Sequence, residues 1–167
     1  FGGIRLMAYS TIPKGSLYMN TVLYSGTGSE HTISGVSFQP DMTWLKSRTN
    51  SQPHMLSDAV RGGSKQIYPN TDSAETSYSQ YLKSFNSDGF VLGTDGGINA
   101  SGQTYVSWNW KAGTTTGINN TGSTIQPATG GYSFNQTSGF SIIKYLGNLT
   151  SGAKVPHGLG VAPNAII

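Results

Sequence analysis

The carboxylates are the first candidates for chemistry, because the 167 residues include only seven acids. A glycosidase needs two carboxyl groups roughly 5 to 9.5 Å apart. Asp88 and Asp95 flank a short apolar segment, so their separation could suit that reaction. Both precede glycine, however, in SDGF and TDGG, where aspartate commonly caps a turn. We therefore predict turn capping for both, no catalytic residues and no enzymatic activity.

The same stretch, NSDGFVLGTDGGINAS, offers oxygen ligands for calcium in Asp88, Asp95 and Asn99. It lacks the spacing of an EF-hand loop and the bidentate glutamate. Calcium near Asp88 and Asp95 stays an open alternative, but we predict no metal site and no cofactor. The three histidines lie in unrelated segments, and their spacing is not that of metal ligands; they are His31, His54 and His157.

A second polar cluster lies in HMLSDAVRGG, residues 54–63, whose pattern fits either a strand or a helical turn. A helix would make His54 and Asp58 i, i+4 neighbours and Asp58 and Arg61 i, i+3 neighbours. No serine stands in a nucleophile elbow. A structural Asp58–Arg61 pair is favoured; a sugar-binding cluster is the alternative, because both side chains make directional hydrogen bonds. If the protein binds a glycan, we predict that it does so in the loops around residues 54–61 and 95–102. The predicted ligand-binding residues are His54, Asp58, Arg61, Asp95 and Asn99.

Trp108 and Trp110 stand two residues apart in QTYVSWNWKAG. On a strand, Thr104, Val106, Trp108 and Trp110 share one face, while the other face is mostly polar. This alternation predicts a half-buried strand with both tryptophans in the core. The alternative is a sugar-stacking platform, which requires exposed indole faces.

Composition indicates an all-β protein. Charged residues are 10% of the chain, glycine numbers 23, and strand and turn formers dominate. The ten basic residues are scattered and the net charge is only +3, so we expect no nucleic-acid partner. No apolar run approaches the ~20 residues that span a bilayer, so we expect no membrane insertion. Cysteine is absent, which excludes disulfides and thiolate metal sites.

The chain divides by composition into four segments. Residues 1–15 form an N-terminal extension, in which FGGIRL reads as a translated ribosome-binding site before a natural start at Met7. The strand and turn residues of 16–112 predict a jelly-roll-like β-sandwich. The only helical turn is expected within residues 71–85. Residues 113–138 have the Gly/Thr/Asn composition of a linker. Residues 139–167 repeat the pattern around Tyr24 and Pro40, so we expect the first strands of a truncated second unit, which must pair with an edge of the first unit or with another copy.

Several motifs carry a resemblance to a family: GVSFQPDMTWLKSR, HMLSDAVRGGSKQIYPNT, SFNSDGFVLGTDGGINASGQTYVSWNWKAG and GFSIIKYLG…VPHGLGVAP. Their order resembles that of tail-fibre-type structural proteins of tailed bacteriophages, especially marine ones. The resemblance covers nearly all of residues 7–167. It implies a non-enzymatic virion protein of tandem β-rich units, made in the bacterial host cytoplasm and carried on a tail or surface appendage.

The expected function is host attachment through a surface glycan or protein. Other virion proteins are the expected partners, and phage fibres are usually trimers, although no heptad supports a trimer in this chain. An architectural spacer or capsid-decoration module without a ligand is the alternative. A polysaccharide depolymerase is the third class, disfavoured by the shortage of acids.

Overall fold

Short antiparallel strands make up most of the regular structure. The computed structural model describes Ile12 and residues 14–167. The strands are β1 (Met19–Ser25), β2 (His31–Ile33), β3 (Met42–Ser47), β4 (Met55–Asp58), β5 (Lys65–Gln66), β6 (Thr76–Ser77), β7 (Leu82–Asn86), β8 (Gly89–Leu92), β9 (Thr104–Trp110), β10 (Pro127–Asn135) and β11 (Phe140–Tyr145). A 3₁₀ turn, Gly15–Leu17, precedes them, and a single-turn helix, α1 (Gly96–Asn99), lies between β8 and β9.

Two sheets face each other across one core. The first has the order β1-β9-β3-β4 and the second the order β2-β8-β7. Burial of large apolar side chains, each worth roughly 1.5 to 3 kcal/mol, holds the sheets together. The all-β sandwich is therefore confirmed, and its jelly-roll-like order places β1 beside β9 and β2 beside β8. The core contains Ile33, Val36, Phe38, Leu45, Met55, Leu82, Phe90, Leu92 and Ile98.

The faces of β9 differ from the prediction. Tyr105, Ser107 and Asn109 are the residues with no exposed surface, and they face the core. Trp108 and Trp110 lie on the opposite face and are half-buried. Neither tryptophan belongs to the sandwich core, contrary to the expectation, although Val106 on the same face is buried at 9% exposure.

Hydrogen bonds explain why polar residues occupy the inner face. The Asn109 amide donates to the Asn20 carbonyl at 3.1 Å and to Ser107 Oγ at 3.0 Å, and its Oδ1 accepts from the Thr43 hydroxyl at 3.1 Å. Tyr105 donates its hydroxyl to the Gly96 carbonyl at 3.1 Å. A buried polar group with partners costs far less than an orphaned one.

The single helical turn also lies elsewhere than predicted. Residues 71–85 contain β6, a turn and the start of β7. The helical turn forms instead at α1, because the Asp95 carboxylate accepts the Gly97 amide at 2.9 Å and caps it.

The segment predicted as a linker supplies a strand. β10 lies within residues 113–138 and pairs antiparallel with β11 in a two-stranded sheet. Residues 140–145 therefore pair with β10 and not with an edge strand of the first unit, whereas pairing with another copy stays a prediction. Tyr132 and Phe134 give this Gly/Thr-rich segment its strand character. Downstream of β11 the backbone is irregular, and Leu146, Leu149, Val161, Ile166 and Ile167 are exposed.

Asp41 joins this hairpin to the sandwich. Its carboxylate, only 6% exposed, accepts the Ala112 amide at 2.9 Å and the Ser133 hydroxyl at 3.1 Å. Burial raises the pKa of Asp41, and these two hydrogen bonds and Lys111 lower it by less. A backbone bridge between Thr114 and Phe134 adds a second connection.

The hypothesis of a natural start at Met7 falls outside the described residues. Within the described part of the chain, no helix has the length and apolar character to cross a membrane.

Candidate functional site

All three tryptophans of the chain lie on the outer face of the first sheet. Trp44 on β3 is directly opposite Trp108 on β9, and Trp110 is opposite Met42. Residues directly opposite each other in a sheet share a face. We call this surface, formed by Trp44, Trp108, Trp110, Val106 and Leu23, the tryptophan face.

The tryptophan face is unusual for a sandwich. The outer face of such a sheet is ordinarily polar, because it meets water. Here Leu23 is 61% exposed, Val106 lies opposite it, and the indoles are half-buried. Lys46 lies opposite Val106 and brings a positive charge to this face. Its ammonium donates to the carbonyls of Ser47 and Gln52 at 3.0 and 2.9 Å. Val106 itself is only 9% exposed, so exposed Leu23 and the half-buried indoles form the accessible part of the face, which is apolar and aromatic.

His54 fixes one indole. Trp44 donates its Nε1–H to His54 Nδ1 at 2.8 Å, and the two rings meet edge to face with centroids 5.7 Å apart. The His54 backbone amide is held by Asn70 Oδ1 at 2.8 Å. Because Nδ1 accepts, the neutral imidazole carries its proton on Nε2. His54 thus adds a hydrogen-bond donor beside Trp44.

Phe140 covers the other end of the face. Its ring stacks on Trp110 with centroids 6.1 Å apart and an interplanar angle of 21°. Since Phe140 begins β11, the C-terminal hairpin touches the tryptophan face at Trp110. Trp44 and Trp108 lie between this contact and exposed Leu23.

Asp58 and Arg61 form the structural pair favoured by the sequence. The segment is the strand β4, and Asp58 is 2% exposed. The Arg61 Nε–H donates to Asp58 Oδ2 at 2.6 Å, and the Arg61 backbone amide donates to Asp58 Oδ1 at 2.8 Å. The Arg61 guanidinium also reaches Glu75 Oε2 at 3.0 Å. The hydrogen bond from Arg61 is the main cause of the lowered pKa of Glu75. Glu75 was missing from the predicted cluster, because nothing in its spacing connects it to residue 61.

Asp95 and Asn99 also hold the fold. Asp95 caps α1, and burial raises its pKa despite the hydrogen bonds from Gly97 and Ile98. Asn99 has no exposed surface. Its amide donates to Ser29 and Gly93 carbonyls at 2.6 and 2.7 Å, and its Oδ1 accepts from Thr27 at 2.9 Å. Each amide group of Asn99 is therefore already hydrogen-bonded inside the protein, and its role in ligand binding stays a prediction.

The predicted cluster is therefore dispersed among separate tasks. His54 supports Trp44, Asp58 and Arg61 pair with each other, and Asp95 and Asn99 organise the 93–102 loop. The sequence analysis overlooked Trp44 as part of a site. The signal was available, since Trp44 in MTWLKS alternates out of phase with core Leu45.

Asp88 and Asp95 both accept hydrogen bonds from backbone amides, as turn capping requires. Asp95 caps its own turn, whereas Asp88 binds a loop that is remote from it in the sequence. Its carboxylate accepts the amides of Gly35 and Ser37 at 3.0 and 2.6 Å, and these bonds lower its pKa. They hold a loop in which Ser37 has a φ of 73°. Within residues 14–167 no group of three or more His, Cys, Asp or Glu side chains comes together as a metal site would require.

Comparison with known proteins gives one match. A family model described as "Domain of unknown function (DUF7483)" matches residues 14–167. Searches of curated proteins and of solved structures found no match. The matched range includes both the sandwich and the C-terminal hairpin. The chain belongs to the DUF7483 domain family.

Proposed function

We propose that this protein is a non-enzymatic phage virion module, part of a tail fibre or other host-attachment appendage, and that it contacts a bacterial surface glycan through the tryptophan face. The observation that carries the proposal is the placement of all three tryptophans on an outward sheet face. Apolar surface exposed in this way commonly marks an interaction site.

The chemistry of the face suits a sugar. The C–H groups of a pyranose ring pack against a flat indole, while its hydroxyls need hydrogen-bond partners at the edge. Trp44 and Trp108 offer adjacent aromatic surface, and His54 Nε2 and the Thr21 hydroxyl on β1 offer polar groups beside it. The hydrogen bond from Trp44 to His54 holds the indole in place before binding, which lowers the entropic cost of association.

The structural use of the acids supports the non-enzymatic part of the proposal. Asp41, Asp58, Asp88 and Asp95 each accept hydrogen bonds from backbone amides or from Arg61. A general acid or base must instead be free to exchange a proton with the substrate.

An architectural module is the second candidate. Edge strand β1 carries Leu23, a member of the tryptophan face that is 61% exposed, and Met19, which lies beside that face and is 37% exposed. A neighbouring virion protein could cover this apolar edge, and then no glycan would bind.

Binding assays with matched variants test the proposal. Trp108→Ala should weaken saturable binding to host cells or to arrayed surface glycans at least tenfold, about 1.4 kcal/mol. Tyr78→Ala is the matched control, because Tyr78 is an exposed aromatic residue outside the tryptophan face. Circular dichroism would verify that both variants fold.

Three outcomes contradict the proposal in different ways. Binding unchanged by Trp108→Ala would move the site elsewhere. Failure to bind any glycan or host cell, with capture by a virion protein, would establish the architectural module. Release of reducing ends from a polysaccharide, lost in Asp88→Asn or Asp95→Asn, would make the protein a depolymerase.

A further inference from the structure

A row of polar side chains crosses the inner face of the first sheet and continues onto β5 and β6. Cross-strand partners connect Asn20 to Asn109, Asn109 to Thr43, and Thr43 to Ser57. The antiparallel bridge between Leu56 and Ile67 places Ser57 opposite Gln66, and Gln66 pairs with Thr76. We call this set the polar row, and its members are Asn20, Asn109, Thr43, Ser57, Gln66 and Thr76.

Both ends of the polar row are hydrogen-bonded. At one end the Asn20 amide donates to the Val36 carbonyl at 3.1 Å, and Asn109 links Asn20 to Thr43. At the other end the Thr76 hydroxyl lies 2.8 Å from Tyr68 Oη and 3.3 Å from Tyr81 Oη.

The side chains in the middle of the polar row have no hydrogen-bond partners within Ile12 and residues 14–167. Ser57 and Gln66 have no exposed surface. Among the described residues, Ser57 Oγ and both amide atoms of Gln66 have no hydrogen-bond partner. Buried polar groups in native proteins are paired with protein or with ordered water, so three orphaned atoms on adjacent strands call for a ligand.

We propose that an ordered internal water binds between Ser57 and Gln66, in the middle of the polar row. The donor and acceptor inventory selects water. Gln66 Nε2 can only donate, Gln66 Oε1 can only accept, and Ser57 Oγ can do both. A cation would meet the amide N–H groups and an anion would meet the carbonyl oxygen, whereas one water donates to and accepts from the same set. Buried waters typically make two to four such bonds.

The hydrogen-bonded part of the polar row lies on the strands that carry the tryptophans, and the water extends the pairing to β4 and β5. Thr43 is the neighbour of Trp44, and Asn109 lies between Trp108 and Trp110. Because side chains alternate with a period of two, a slip of one residue would move the polar row outward and an indole inward. The hydrogen bonds that connect Asn20, Asn109 and Thr43 across β1, β9 and β3 oppose that slip. This inference does not depend on what the tryptophan face binds.

Two measurements on the unmodified protein test the proposal. A high-resolution crystal structure should contain a water within hydrogen-bond distance of Ser57 Oγ and of the Gln66 amide. Oxygen-17 magnetic relaxation dispersion should detect at least one internal water that exchanges slowly. A crystal structure in which the Gln66 amide bonds directly to Ser57 or to another protein group would overturn it.

Substitutions at Ser57 and Gln66 then test whether the slowly exchanging water is the one between these two side chains. Ser57→Ala combined with Gln66→Met removes the polar partners with little change in volume, and the relaxation signal should fall by one water. Ser73→Ala, an exposed residue, is the control and should leave the signal unchanged. A double variant that folds and retains the full signal would contradict the assignment. If the double variant does not fold, the crystal structure of the unmodified protein decides the question.

Discussion

Trp44 and His54 form a hydrogen-bonded pair in which the indole donates and the imidazole Nδ1 accepts, at 2.8 Å. The pair connects β3 to the residue that precedes β4, and it holds the central indole of the tryptophan face in one orientation. Both side chains are half-buried.

A double-mutant cycle should measure this pair. We expect His54→Phe and Trp44→Phe to be coupled by about 1 kcal/mol in the free energy of unfolding, the usual net contribution of one hydrogen bond. Urea denaturation of the two single variants and the double variant gives the coupling. Additive effects would mean that the bond contributes nothing to folding. The fluorescence spectrum of His54→Phe should also change, since Trp44 loses its partner.

Arg61 should be essential for stability. Arg61→Ala leaves Asp58, 2% exposed, without its counter-charge, and such a loss costs roughly 3 to 5 kcal/mol. Lys83→Ala provides the matched control, because the Lys83–Glu30 pair is exposed and should contribute less than about 1 kcal/mol. Chemical denaturation of both variants checks the contrast. Equal losses in the two variants would refute it.

Asn99 should behave as a structural residue. Asn99→Ala leaves the Thr27 amide without its acceptor and removes one donor from each of the Ser29 and Gly93 carbonyls, and we expect a loss of about 2 to 4 kcal/mol. Asn50→Ala, at an exposed position, should change stability by less than about 0.5 kcal/mol. Thermal denaturation separates the two. A stable Asn99→Ala protein with impaired ligand binding would support the ligand role predicted from the sequence.

Asp41 should make part of the stability depend on pH. Burial raises the folded-state pKa of Asp41 above its ordinary value of 3.8. Its contribution to stability is therefore fully present below 3.8 and is lost as the pH rises through the folded-state pKa. Between pH 7 and pH 4 the free energy of unfolding should increase through this residue, and Asp41→Asn should remove that increase. Denaturation of both proteins across this range makes the comparison; identical pH profiles would contradict it.

The strand character of the chain could be predicted from its residue types. QTYVSWNWKAG forms β9, MTWLKSR contains β3, and Asp95 before glycine caps a turn. Asp58 and Arg61 also pair as their spacing favours. These outcomes depend on neighbours along the chain, which a sequence displays directly.

The faces of β9 could not be predicted in this way. Asn109 becomes a core residue only because Asn20 and Thr43, more than sixty positions away, satisfy its amide. Hydropathy would place Trp108 inside and Asn109 outside. β10 was missed for a related reason: its pairing with β11 and the Asp41–Ser133 bond are tertiary contacts that override a linker-like composition.

The register of β1 against β9 has a mechanical consequence for the sandwich. Met19, at the start of β1, lies opposite Trp110, at the end of β9. The chain therefore enters and leaves the sandwich at the same end, while α1 and the Tyr24–Ile98 hydrogen bond lie at the other. Tension along the chain would separate β1 from β9 one residue pair at a time, beginning at Met19 and Trp110, and would leave the α1 end undisturbed until last.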